Sequence, residues 1–95
     1  MGARPADCRT AIVTADTAVK AAPGTVYWIG VSAGATGGAF QINDSLDDSG
    51  TDKFDVTVTA STGPFYLEFD PPIKCTLGIY IDVPGTNLKV NVGYT

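Results

Sequence analysis

Apolar residues alternate with polar ones along most of the chain after residue 24, and this period of two constrains the fold more than any other feature. In the segment 53–59, Phe54, Val56 and Val58 are separated by charged or hydroxyl residues, so that one face is apolar and the other polar. An amphipathic helix would instead need apolar residues three and four positions apart, a spacing that no segment after residue 24 shows. The alternation therefore predicts β-strands.

Six segments carry this pattern, and short stretches rich in Gly, Pro and Asp separate them. A seventh strand is compatible with the sequence of residues 10–14. We therefore expect an all-β fold, a single antiparallel β-sandwich of jelly-roll or Ig-like type with about six to seven strands. Only residues 84–86 separate the last two strands, which predicts that these strands pair as a hairpin. The six segments are 25–32, 39–43, 53–59, 65–69, 76–83 and 87–94.

The chain has 95 residues, enough for one domain with one core. Residues 1–22 have the weakest pattern, with at most one helical turn in 16–22, and are predicted to form an irregular N-terminal arm. Residues 23–95 then form the β-sandwich domain. The apolar positions of the predicted strands are expected to face the core: Phe40, Ile42, Phe54, Val56, Val58, Phe65, Leu67, Phe69, Leu77, Ile79, Ile81, Val83, Leu88, Val90, Val92 and Tyr94.

Composition excludes several classes of function. The chain has no His, which removes histidine-based acid–base catalysis, Ser-His-Asp and Cys-His nucleophile systems and His-ligated metal centres. Its net charge of −4 and its six dispersed Lys and Arg residues argue against a nucleic-acid surface. No apolar stretch approaches the roughly 20 residues of a membrane-spanning helix. We therefore expect a protein that is not an enzyme, needs no cofactor and has neither a nucleic-acid nor a membrane partner.

The two cysteines, Cys8 and Cys75, are too few for a structural zinc site. They could form one disulfide between the N-terminal segment and a late strand. No export signal is visible at the start of the chain, so we expect a reducing environment and two free thiols. Within a strand pattern, Cys75 is expected to behave as a small apolar residue.

The loop at residues 43–52 contains four Asp residues and allows three interpretations. The triplet Asp48-Ser49-Gly50 resembles the catalytic triplet of a retroviral-type aspartic protease, but the preceding residues are polar rather than the end of an apolar strand. The carboxylates could bind Ca²⁺, although their spacing differs from that of an EF-hand. The simplest interpretation is a solvated turn, which Asp, Ser and Gly favour through their own backbone preferences.

Three tyrosines, Tyr27, Tyr66 and Tyr80, are out of phase with the main apolar positions of their strands. Such aromatic residues can pack in a second covered face of the sheet. They can also contact a neighbouring subunit, where Tyr is enriched, or stack on sugar rings. The sequence leaves all three alternatives open.

Two stretches carry a resemblance to a known class of protein. Residues 22–27 form a Pro-Gly-x-x-Tyr sequence at the start of a long strand, and residues 72–83 contain Gly78-Ile79-Tyr80-Ile81 ahead of the final strand at 87–94. This order resembles the small β-sandwich virion proteins of tailed bacteriophages over about three quarters of the chain. The resemblance implies a structural protein of the virion, such as a capsid decoration or cement protein, and it carries no catalytic residues.

A decoration protein of this kind would bridge coat subunits without covalent chemistry. Its expected partners are the major capsid protein, further copies of itself or both, as a homo-oligomer on a virion that assembles in the host cytoplasm. An alternative function is glycan or receptor binding at a tail or fibre, and the aspartic protease is a more distant one. Candidate contact residues come from the N-terminal segment and the out-of-phase tyrosines: Arg4, Arg9, Lys20, Tyr27, Tyr66 and Tyr80.

Overall fold

Eight strands, all paired antiparallel, form two four-stranded sheets in the computed structural model, which describes residues 8–47, 49–59, 63–83 and 88–95. The first sheet has the strand order β1-β8-β3-β6, and the second has the order β2-β7-β4-β5. The strands are β1 (Arg9–Val13), β2 (Thr17–Lys20), β3 (Gly24–Ala33), β4 (Gly38–Asp44), β5 (Thr51–Val58), β6 (Phe65–Cys75), β7 (Ile79–Asp82) and β8 (Leu88–Tyr94).

The pairing scheme is that of a jelly roll. Strand β1 pairs with β8, β2 with β7, β3 with β6 and β4 with β5, so that the chain forms one long antiparallel ribbon. Two further pairings, β3 with β8 and β4 with β7, close the rolled ribbon into two sheets. The predicted all-β sandwich is therefore confirmed, with eight strands among the described residues rather than six or seven, and the jelly-roll alternative applies.

The core lies between the two sheets and matches most of the predicted apolar positions. Phe54, Val56, Phe65, Phe69 and Tyr94 are partly buried against the fully buried residues. Of the predicted core positions, those that are buried are Phe40, Ile42, Val58, Ile79, Ile81, Val83, Leu88, Val90 and Val92.

Two predicted core positions are wrong, because Leu67 is 37% exposed and Leu77 is 60% exposed. Leu67 lies on β6, an edge strand, where the sandwich is open on one side. Leu77 precedes the start of β7, in the turn that follows β6. The alternating pattern continues through this turn although the strand does not.

The predicted irregular N-terminal arm is corrected by the structure for residues 9–20. Strands β1 and β2 lie in this span, and each is an edge strand that pairs with one neighbour, β8 or β7. Their weak patterns follow from this position, because an edge strand of four or five residues turns few side chains to the core. Residues 1–7, which include Arg4, lie outside the described residues.

The predicted hairpin between the last two strands is also wrong. Strand β7 lies in the second sheet between β2 and β4, whereas β8 lies in the first sheet between β1 and β3. The connection therefore crosses from one sheet to the other, and the apolar faces of the two strands meet across the core. An alternating pattern shows that a face is buried but not which sheet the strand joins.

The two cysteines are free, as expected. Cys8 precedes β1 and Cys75 ends β6, and these strands are the two opposite edges of the first sheet. Three interstrand spacings of about 4.8 Å separate them, which is about 14 Å and about twice the Cα separation that a disulfide can span. Cys75 is buried in the core, in keeping with its predicted apolar role.

Candidate functional site

The outer face of the first sheet has no further layer packed on it in the described part of the chain. Val92 and Ile29 are fully buried, so the residues that alternate with them along β8 and β3 point outward. We call this surface the Trp28 face. It consists of two rows that each cross all four strands, Thr10–Gly93–Trp28–Glu68 and Ile12–Asn91–Gly30–Tyr66.

A β-bulge in β3 places Trp28 on this face. The register of β3 against both neighbours shifts between Val26 and Trp28. Val26 is fully buried, so regular alternation would turn Trp28 inward as well, and the extra residue of the bulge turns it outward. The indole then lies on Gly93, where an added Cβ would overlap Nε1 of Trp28. Only glycine can occupy this position while Trp28 keeps its place.

The exposed side chains of the Trp28 face are mainly aromatic or apolar. Tyr66 is 51% exposed and Ile12 is 69% exposed. The rings of Tyr66 and Trp28 are tilted against each other, with their centroids 5.7 Å apart. Between Tyr66 and Asn91 the face has only Gly30, whose carbonyl oxygen accepts a hydrogen bond of 3.4 Å from Nδ2 of Asn91. The result is an aromatic surface next to a shallow depression at Gly30, with the side-chain amide of Asn91 on the other side of that glycine.

The structure does not bring the three predicted tyrosines together. Tyr66 lies on the Trp28 face. Tyr80 lies on the second sheet, opposite Ala18 and Asn43, and is partly buried. Tyr27 is partly buried at the bulge, and its hydroxyl is 3.3 Å from Oγ1 of Thr95.

Of the candidate basic contacts, Arg9 is exposed at the start of β1, and Lys20 is partly buried at the end of β2. Lys20 and Lys74 line an open groove at one end of the sandwich, together with Pro23, Gly24, Thr25, Cys75, Thr76 and Thr95. The two ammonium groups and the Thr hydroxyls could hold a negatively charged group. Burial, reinforced by the negative charge of Asp44, raises the pKa of the Cys75 thiol to about 11, so the groove contains no activated thiolate.

Asp44 links the acidic loop to the turn between β6 and β7. Its Oδ2 accepts hydrogen bonds from the backbone N–H of Thr76 at 2.9 Å and from Oγ1 of Thr76 at 3.0 Å. Its Oδ1 accepts from the N–H of Leu77 at 2.8 Å and of Gly78 at 3.5 Å. The backbone donors of Thr76 and Leu77 are the main reason that the pKa of the buried Asp44 carboxyl falls to about 2.

Two other acidic residues of this loop also bind protein donors. Oδ1 of Asp47 accepts hydrogen bonds from the hydroxyl and the N–H of Ser49 and from the hydroxyl of Ser45, and these bonds lower the pKa of Asp47. Asp52 accepts a short hydrogen bond from the buried amide of Asn43. Asp44, Asp47 and Asp52 therefore each accept hydrogen bonds from the protein itself, which gives these carboxylates a structural role. Among the described residues no group of three Cys, Asp or Glu is arranged to hold a metal ion. Asp48, on which the protease interpretation depends, lies outside the described residues.

Comparison with protein-family models, with curated proteins and with solved structures finds no match to this chain. The described part of the chain also contains no helix long and apolar enough to cross a membrane. The candidate site therefore rests on its own geometry.

Sequence reasoning missed Trp28 and Ile12 as surface residues. The available signal was the pair of glycines inside strands, Gly30 and Gly93, because an isolated glycine in a strand often marks a bulge or a close approach of another group. Gly93 marks the close approach of Trp28, and the bulge lies in the neighbouring strand.

Proposed function

We propose that this protein is a structural protein of a phage virion, a capsid decoration protein that binds coat subunits through the Trp28 face. The observation that carries this proposal is the exposed aromatic and apolar surface of a sheet face on which none of the described residues forms a further layer. The fold supports it, because jelly rolls are common among viral capsid proteins, and so does the resemblance of residues 22–27 and 72–94 to phage virion proteins. No catalytic chemistry is needed for this role.

The side chains of the Trp28 face suit a protein interface. Tyr and Trp are enriched at the centres of interfaces, where they bury a large area with little loss of side-chain freedom. Burial of the remaining exposed surface of Tyr66 and Ile12 would contribute about 1 to 2 kcal/mol each. One such contact is weak, but a coat lattice presents many equivalent sites, so a protein that contacts more than one of them binds much more tightly.

The test is co-sedimentation of the purified protein with capsids from which the minor proteins have been removed. We expect saturable binding with a copy number comparable to that of the coat subunits. The double variant Ile12→Thr/Tyr66→Ser should lose binding at least about tenfold, because both changes remove apolar contact area from one face. A matched control is Thr57→Ala, which changes an exposed residue of β5 in the second sheet.

Two results would contradict the proposal. One is no binding of the unaltered protein to stripped capsids. The other is binding that the double variant retains in full, since the contact would then lie elsewhere. Binding at only a few copies per particle would place the protein at a vertex or tail instead of on the coat surface.

The Trp28–Tyr66 pair also favours a second function, which is glycan binding. Two aromatic rings beside the amide of Asn91 and the hydroxyl of Thr10 offer both stacking surfaces and hydrogen-bonding groups, the combination that ligand sites use for orientation. A glycan array followed by titration of Trp28 fluorescence tests it. Binding of soluble oligosaccharide that Tyr66→Ser and Asn91→Ala both abolish would favour this function over capsid decoration.

A further inference from the structure

We propose that the protein forms a two-fold symmetric dimer, end to end, through a second surface that we call the end patch. This patch has an apolar centre, Leu46 and Leu77, with the groove of Lys20 and Lys74 on one side and the acidic loop around Asp47 on the other. It lies at an end of the sandwich, whereas the Trp28 face is the outer surface of the first sheet. The inference therefore does not depend on the proposed function.

The centre of the end patch is exposed to an extent that is unusual for leucine. Leu46 is 57% exposed and Leu77 is 60% exposed. Gly78 joins the two, because an added Cβ at this residue would lie 3.0 Å from Cδ2 of Leu46. Grouped exposed leucines of this kind mark interaction surfaces more often than leucines that are scattered singly.

The exposed leucine of the turn is held in place before any partner binds. The N–H groups of Leu77 and its two neighbours, Thr76 and Gly78, all donate to the carboxylate of Asp44. The N–H of Ser45 also donates to the carbonyl oxygen of Gly78 at 3.2 Å, which fixes the acidic loop to the turn. A surface that is already ordered loses less conformational freedom on binding, so such a patch can bind with a modest area.

Opposite charges lie on the two sides of this centre. The Cβ position of Gly78 is 2.8 Å from the carbonyl oxygen of Lys20 and 2.8 Å from that of Ser45, so the turn is wedged between the end of β2 and the acidic loop. At the start of β7, Ile79 pairs with Lys20 on one side and with Asp44 on the other, so the end of β2 and the acidic loop that contains Asp47 flank the turn. Lys74 lines the groove together with Lys20. Asp47 keeps its negative charge to low pH, since hydrogen bonds from Ser49 lower its pKa.

This arrangement is complementary to itself. A two-fold axis through the apolar centre brings the leucines of the two copies together and places the lysine groove of each copy opposite the acidic loop of the other. Closed two-fold contacts of this kind use the same patch on both subunits. A second copy of this chain therefore matches the patch, because its leucines meet the apolar centre and its charged groups meet groups of opposite sign. These charge pairs determine how the two copies are oriented.

Sedimentation equilibrium of the isolated protein over a wide concentration range tests the dimer. We expect a reversible monomer–dimer equilibrium that weakens with salt. Leu77→Ser should raise the dissociation constant at least about tenfold, because the symmetric dimer loses this leucine side chain from both copies. The matched control is Ile12→Ser, which changes an equally exposed apolar residue on the Trp28 face and should leave the dimer intact.

Charge variants give a sharper test. Lys20→Glu/Lys74→Glu reverses the charge of the groove, and Asp47→Lys reverses the charge of the loop residue that faces the groove of the other copy. Each variant alone should therefore dimerise more weakly than the unaltered protein. Mixed together, the two variants should form a heterodimer more tightly than either forms a homodimer, because the reversed groove of one copy meets the Lys at position 47 of the other, and the unaltered groove of that copy meets an unaltered acidic loop. Lys89→Glu, on the exposed surface of β8, controls for the change in net charge.

The proposal is overturned if the unaltered protein stays monomeric at the highest concentration, or if Leu77→Ser and Ile12→Ser affect the dimer equally. It is also overturned if the two charge variants do not associate on mixing while circular dichroism shows both to be folded. None of these experiments involves a capsid, so their failure is distinguishable from failure of the proposed function.

Discussion

Replacing Asp44 with Asn isolates the contribution of one buried carboxylate to the stability of the fold. Asn has nearly the same shape but only one acceptor oxygen, and its NH₂ group would face backbone donors of the turn at residues 76–78. Hydrogen bonds to a charged group contribute about 1.5 to 3 kcal/mol each. Thr76 and Leu77 are exposed, so water replaces part of what is lost. We expect the free energy of unfolding to fall by about 2 to 3 kcal/mol at neutral pH.

The same carboxylate predicts a dependence on pH. Its pKa is about 2 in the folded state, against an ordinary value of 3.8. A lowered pKa in the folded state means that ionised Asp44 stabilises the fold fully above pH 3.8, and that this stabilisation is lost as the pH falls from 3.8 towards 2. The difference between the two pKa values corresponds to a contribution of at most about 2.5 kcal/mol to the free energy of unfolding. Solvent reaches this end of the sandwich, so we expect the measured contribution to be about 1 to 2 kcal/mol.

Urea unfolding of the unaltered protein and of Asp44→Asn, followed by Trp28 fluorescence from neutral pH to about pH 3, measures both effects. The difference in unfolding free energy between the two proteins should be largest at neutral pH and should narrow in acid, since only the unaltered protein has a group to titrate at this position. Asp55→Asn, at an exposed position of β5, should change stability by less than about 0.5 kcal/mol. A difference below about 0.5 kcal/mol for Asp44→Asn, or one that stays constant in acid, would refute the reasoning.

Two further predictions concern the first sheet and the thiols. Gly93→Ala should displace the Trp28 indole, change its fluorescence and lower the unfolding free energy by about 1 to 3 kcal/mol. Gly30→Ala, whose Cβ would meet no atom closer than 3.8 Å, should be neutral or slightly stabilising in the same unfolding assay. Titration with a thiol reagent should modify Cys8 in the folded protein and Cys75 only on unfolding, because Cys75 is buried and its pKa is about 11. Rapid modification of both would contradict this.

The segments that the sequence predicted well are those in which alternation and burial agree. In β8, Leu88, Val90 and Val92 are all buried, and the residues between them point away from the core. Such a pattern arises because successive side chains of a strand point to opposite faces, so a strand with one buried face has an apolar residue at every second position. It carries no information about which strand pairs with which, and so the sequence predicted a strand at 87–94, observed at Leu88–Tyr94, but placed it beside the wrong neighbour.

The candidate surfaces were harder to predict, because each depends on a local departure from the regular pattern. Trp28 is turned outward by a bulge, one extra residue of β3 opposite β8, and this bulge is not visible in the strand's own run of apolar residues. Leu77 continues the apolar phase of β7 but lies in a turn whose backbone is bound by Asp44, thirty-three positions earlier in the chain. Contacts across such a distance are decided by the tertiary fold and not by local sequence.

The two surfaces share a physical principle, although one is a sheet face and the other an end. In each, a specific contact fixes the indole or the backbone of an apolar residue outside the core. The indole of Trp28 rests on Gly93, and the backbone of Leu77 is bound by a carboxylate. Without such a contact, a partner would have to order the residue as it binds, at a cost in conformational entropy. Because the indole of Trp28 and the backbone of Leu77 are already fixed in the single chain, binding at either surface costs less conformational entropy.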